Sequence, residues 1–107
     1  MTETLEAIKQ LVIVGDVRVS EHGYGELSED DIPIRELLRG IHRATVIEDY
    51  PTFPKGPAVL VLQFDSLNRP VHVVWGIPKG FTSPAVLVTA YRPDPRRWKE
   101  NFTERRQ

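Results

Sequence analysis

The sequence predicts an α+β domain: a four-stranded antiparallel sheet, N-terminal helices on one face of it, and a short C-terminal helix. Three observations carry this prediction. Apolar residues recur at spacings of three and four in the N-terminal third, the helical period. Three apolar runs, 58–64, 71–77 and 85–91, are separated by short loops, which suit an antiparallel meander. The chain has 107 residues, 40% hydrophobic and 27% charged, which is the composition of one globular domain able to bury a core without staples.

Each element follows from local pattern. In Glu3–Leu11, Leu5, Ala7, Ile8 and Leu11 mark one helical face, continued by Val12, and Gly15-Asp16 ends it. Val17-Arg18-Val19 alternates like a short strand. Gly23 and Gly25 weaken any helix after Ser20. Ser28 reads as the N-cap of a helix to Gly40, with Glu29, Asp30 and Asp31 in its first turn and Pro33 early within it. Ala44–Asp49 is the first strand of the meander. Ala58–Phe64 is nearly all apolar, as a strand buried on both faces would be. Val71–Ile77 and Ala85–Tyr91 follow. Val59, Val61, Val73, Trp75 and Leu87 are the expected core. Arg96–Arg106 is the expected C-terminal helix, with Trp98 and Phe102 at i, i+4.

Composition limits the function classes. There are no cysteines, so disulfides and thiolate metal sites are excluded, and the cytoplasm is the expected compartment. No run approaches the roughly 18 apolar residues of a membrane span. The start, MTETLEAIKQ, lacks the basic region of a secretory signal. The net charge of −1 is split: residues 1–50 hold 11 acids and 5 bases, residues 51–107 hold 4 acids and 9 bases. A basic C-terminal half suits an acidic partner or a nucleic acid, and it is equally the make-up of a solvated surface.

The chemistry rests on histidine, whose pKa suits proton transfer near neutrality. His42 follows the helix stop. His22 follows Glu21 in a glycine-rich turn, and His72 lies within the strand VHVVWGI. Pairing the meander about Leu67–Asn68 and Gly80–Phe81 sets His72 between Gln63 and Thr89, with Thr45 beyond Gln63. RNA cleavage by its own 2′-hydroxyl needs a base, an acid and a charge stabiliser. His22 and His72 fit the first two roles, and Arg92, Arg96 or Arg97 the third, since guanidinium suits phosphate. Tyr91 or Tyr50 fits base stacking. This chemistry needs no cofactor. The chain has no GxxxxGK loop, no HExxH and no calcium-loop spacing.

Five segments together carry a resemblance: Val19-Ser20-Glu21-His22, Ser28–Gly40, Val46–Pro51, Arg69–Val74 and Thr89–Pro95 with Trp98. In this order they resemble a family of small bacterial proteins of unknown function, itself similar in layout to the RelE, BrnT and MqsR ribonuclease toxins. The resemblance covers most of 17–107 within a single 1–107 domain, and the N-terminal helix within 1–16 lies outside the match. It implies a RelE-like fold and a toxin paired with a zinc-finger or helix-turn-helix antitoxin. It also implies a candidate site at His22, His72, Thr89 and Tyr91. One departure stands out: the stretch after His22 is short, Gly23–Leu27, and lacks arginine and lysine. Three readings follow: a metal-independent endoribonuclease, a non-catalytic module that binds a protein partner, and a structural homodimer.

Overall fold

The computed structural model describes residues 2–107. Its elements are α1 (Glu3–Ile13), β1 (Val17–Val19), α2 (Glu21–Glu29), α3 (Ile34–Gly40), a 3-10 turn (Ile41–Arg43), β2 (Thr45–Tyr50), β3 (Ala58–Phe64), β4 (Pro70–Gly76) and β5 (Ala85–Tyr91). The α+β class holds. The sheet, however, has five strands in the order β1-β5-β4-β3-β2, and β1 runs parallel to β5. The expected four-stranded antiparallel meander is therefore extended by one parallel edge strand. β1 is only three residues long, and its partner lies at Ala85–Leu87, so local sequence carries little sign of the pairing.

The helices start on side-chain caps. Thr2 Oγ1 accepts from the Leu5 N–H at 3.0 Å and opens α1, with Glu3 and Glu6 in the electropositive first turn. Ser20 caps α2 in the same way, accepting from the Gly23 N–H at 2.9 Å. The expected helix from Ser28 to Gly40 is in fact two helices. Ser28 lies inside α2, and Pro33 is the N-cap of α3. Proline disfavours helical backbone at the residue before it, and Asp31 turns left-handed at φ 53°, so the chain breaks there. Gly23 survives within α2 because the helix presses on β5: a Cβ at Gly23 would stand 2.9 Å from Leu87 O.

The core lies between the helices and one face of the sheet. Val59, Val61, Val73, Trp75 and Leu87 are all fully buried, as expected, against Leu5, Ile8, Leu27 and Leu37. One polar group crosses this layer. Gln63 Nε2 donates to Leu37 O at 2.9 Å, and Trp75 Nε1 donates to Gln63 Oε1 at 2.9 Å, so both buried polar side chains are satisfied.

That contact also corrects the register. His72 pairs with Leu62 and Tyr91, not with Gln63 and Thr89; Thr45 pairs with Leu62, and Thr89 with Val74. The β3–β4 turn explains one half of the difference. Asp65 N donates to Arg69 O and Asn68 N to Asp65 O, with Asn68 left-handed at φ 60°, so the loop is the three residues Ser66–Asn68. An odd loop centres the hairpin on one residue, Leu67, where an even one centres between two. On the β5 side the partner moves by two residues: the β4–β5 loop centres on Phe81, and a bulge at Val74/Trp75 adds the second shift and leaves Val88 without a partner. A shift of one residue puts Gln63 on the helical face and His72 on the opposite, outer face.

The C-terminal helix is absent. Residues 92–107 fold back as a closed loop: Trp98 and Arg105 form an antiparallel bridge, Lys99 N donates to Glu104 O, and Arg106 N donates to Arg97 O. Phe102 is left-handed at φ 58°, which a helix does not admit. The loop returns over the outer face of the sheet and seals Trp98 there, 4% exposed.

Candidate functional site

The sequence-derived residues fall into two neighbouring groups at the α2 side of β5. β1 pairs with β5 only as far as Leu87, and the start of α2 flanks the edge beyond, where Ser20 Oγ donates to Val88 O at 2.8 Å. Here His22 Nε2 lies 3.1 Å from Glu26 Oε1, one helical turn on. Thr89 donates its hydroxyl to the same carboxylate oxygen. The His22 side chain is 73% exposed, whereas Glu26 is only 26% exposed. A half-covered carboxylate thus holds an open imidazole on one side and a threonine hydroxyl on the other.

The second group is closed. His72 is fully buried on the outer face. Its Nε2 lies 2.7 Å from Phe102 O, a carbonyl that only accepts, so this nitrogen carries the proton and donates. Nδ1 is then the acceptor for the Tyr91 hydroxyl at 3.4 Å. Trp98 stands edge-on to the imidazole, with ring centroids 4.4 Å apart and planes at 87°, and Arg105 caps Trp98 with its guanidinium carbon 4.7 Å from the ring centroid. Arg105 also pairs with Glu48 at 3.0 Å, and Glu48 accepts from the Tyr50 hydroxyl at 2.6 Å. That hydrogen bond pushes the Tyr50 pKa up to about 12 and, with Arg105, lowers that of Glu48. Burial raises the Tyr91 pKa and outweighs the opposing charge of Arg105; Glu48 and Glu26 add smaller upward shifts. Thr89 and Tyr91 lie two residues apart on β5, which sets the two groups side by side.

Burial lowers the His72 pKa from its ordinary 6.5, against the opposing hydrogen bond to Phe102 O; the charge of Arg105 lowers it further. The neutral form is thus the folded form, and the unfolded chain binds the extra proton. Stability should fall as the pH drops through the unfolded value and level off below the folded one. Urea midpoints at pH 7.5 and 5.5 test this: wild type should lose more than His72→Gln, which keeps a donor for Phe102 O and cannot titrate. Equal losses in the two proteins would remove His72 as the cause.

The three arginines do not join either group. Arg92 Nη2 sits 2.9 Å from Asp65 Oδ2, a carboxylate that is 1% exposed and also takes Arg69 Nε at 2.8 Å. Burial alone would raise the Asp65 pKa. Hydrogen bonds from the Arg69 backbone and side chain, from Arg92 and from the Leu67 backbone outweigh it and hold the carboxylate ionised. Arg96 is turned back on Asp94 at 3.1 Å. Arg97 is exposed on the returning loop.

The family model of the Domain of unknown function (DUF4258) matches residues 19–92. The chain belongs to this family. The DUF4258 match holds His22, Glu26, His72, Thr89 and Tyr91, and stops at Arg92; Trp98, Phe102 and Arg105, which close over His72, lie beyond it. No curated protein and no solved structure matches the chain. Among the described residues no helix is long and apolar enough to cross a membrane.

Glu26 and Glu48 are not among the residues that the sequence marks for chemistry. Glu26 was within reach, because His22 and Glu26 are four apart and a continuous helix brings such residues together. The two glycines between them argued against that helix. Glu48 and Arg105 are 57 positions apart, and only the fold joins them.

Proposed function

We propose that this DUF4258 protein is a cytoplasmic, metal-independent endoribonuclease of the toxin type, held in check by a zinc-finger or helix-turn-helix antitoxin. The observation that supports it is the His22–Glu26–Thr89 group: an exposed imidazole oriented by a carboxylate, the arrangement a general base needs. In this reading neutral His22 takes the proton of an RNA 2′-hydroxyl. The freed oxygen attacks the adjacent phosphorus, the P–O5′ bond breaks, and the proton now on His22 passes, directly or through water, to the leaving oxygen. Tyr91, half-buried beside that group with its hydroxyl proton held by His72, supplies a stacking surface for a base. His72 acts indirectly, by holding the Tyr91 hydroxyl.

The test is cleavage of total RNA by the purified chain in the presence of a chelator. His22→Ala and Glu26→Gln should each lower the rate by about 100-fold, the scale of a lost general base or its orienter. Both should leave the melting temperature close to that of wild type, since His22 is mostly exposed. Wild type without cleavage, or His22→Ala cutting at the wild-type rate, would sink the nuclease reading. The second reading, a partner-binding module or homodimer without chemistry, is favoured by one feature: Arg92 and Arg96 already hold carboxylates of their own chain.

A further inference from the structure

We infer that the outer face of the sheet carries a separate site, a groove that binds a small apolar carboxylate such as an acyl or aryl acid. The groove has a volume of ≈ 600 Å³, within the range of small-molecule sites. It exists because one row across the sheet is made of small residues. Ala58, Gly76 and Val86 pair in register, and Gly76 presents no side chain where a Cβ would stand 3.6 Å from Val88 Cγ2 and 3.8 Å from Ala58 Cβ. Val74 and Val88 extend this floor, and Tyr50 and Phe53 form a wall.

The charge of the groove selects the ligand. Its charged lining residues are Arg18 and Lys55, both cations, and no carboxylate stands among the residues that line it. Among the described residues neither has an acid within ion-pair distance. The Tyr50 hydroxyl is already committed to Glu48. Two unpaired cations beside an apolar floor complement a ligand with an apolar body and one anionic group. A nucleotide fits poorly, because its base edges and sugar would meet few polar partners on this floor. The site does not depend on the nuclease reading, since it uses neither His22 nor Glu26.

The probe is 1-anilinonaphthalene-8-sulfonate, an aromatic anion that fluoresces when bound, titrated into the intact chain. N-phenyl-1-naphthylamine serves as its neutral counterpart. One anion should bind per chain and be displaced by dodecanoate but not by dodecylamine. The double variant Arg18→Ala/Lys55→Ala should weaken the anion about fivefold, as expected for two partly exposed ion pairs, and leave the neutral dye unchanged. Gly76→Leu should fill the floor and abolish both. Val88→Glu should repel the anion without touching the core, because Val88 is 39% exposed, and it serves if Gly76→Leu fails to fold. Anionic and neutral dyes binding alike, with no effect of the double variant, would overturn the inference. So would a micromolar dimer, seen by sedimentation, that Val88→Glu dissociates, since the groove would then be covered by a second copy.

Discussion

Val61→Asp is expected to leave the chain unfolded at room temperature. Val61 is fully buried, in register between Val46 of β2 and Val73 of β4, with the helices against its face. A carboxylate there has no cation to meet. It would have to be buried charged and unpaired or bind a proton at neutral pH, and either costs several kcal/mol. A domain of this size has only about 5–15 kcal/mol in total. Val61→Ala, which loses two methyl groups and leaves a small cavity, should cost about 2 kcal/mol and remain folded. Circular dichroism and urea denaturation of the two variants separate these cases. A folded Val61→Asp protein with the wild-type melting temperature would show that β3 is not the centre of the core.

The second large effect is expected at Asp65. Asp65→Ala should cost about 2–4 kcal/mol, somewhat less than the loss of a partner from a fully buried pair, because the arginines keep access to water. The carboxylate is 1% exposed, whereas Arg69 is 54% and Arg92 25% exposed. Asp65 does three things at once. It accepts from the backbone N–H groups of Leu67 and Arg69, each at 2.9 Å, and so shapes the three-residue turn. It binds Arg69 across that turn. It also ties Arg92, at the end of β5, to the end of β3. Arg69→Ala should cost no more than about 1 kcal/mol, as an exposed pair would. Because the folded carboxyl titrates below its ordinary 3.8, this contribution is present above that value and is lost as pH falls through the folded pKa. Urea midpoints at pH 7 measure both variants. Equal losses at Asp65 and Arg69 would mean that neither Arg92 nor the two backbone hydrogen bonds add to stability.

Strand periods are legible in the sequence, while helix α2 and the register of the sheet depend on turn geometry and on packing. The three main strands and the five core residues were legible, because burial of one face imposes a period that local sequence must obey. The nine-residue helix α2 was not, because glycine is a poor helix former in isolation and its advantage here lies in contact with Leu87. The partners of His72 differ from the expected ones by one residue in β3 and by two in β5. Turn length and one bulge set that register, and neither shows in an alternating apolar pattern.

The sequence by itself determined the α+β class, the strand cores, the family-like segments and the residue types at the candidate site. Helical and strand periods, prolines and caps are local, and each acts within a few residues. Only the tertiary structure decided which of those residues meet. Thr89 reaches Glu26 across 63 positions, and Phe102 O accepts a hydrogen bond from His72 across 30, so that one histidine stands open and the other is sealed. Those contacts depend on where the sheet edge ends and how the C-terminal loop folds back. Both are set by packing between distant segments, which no local pattern encodes.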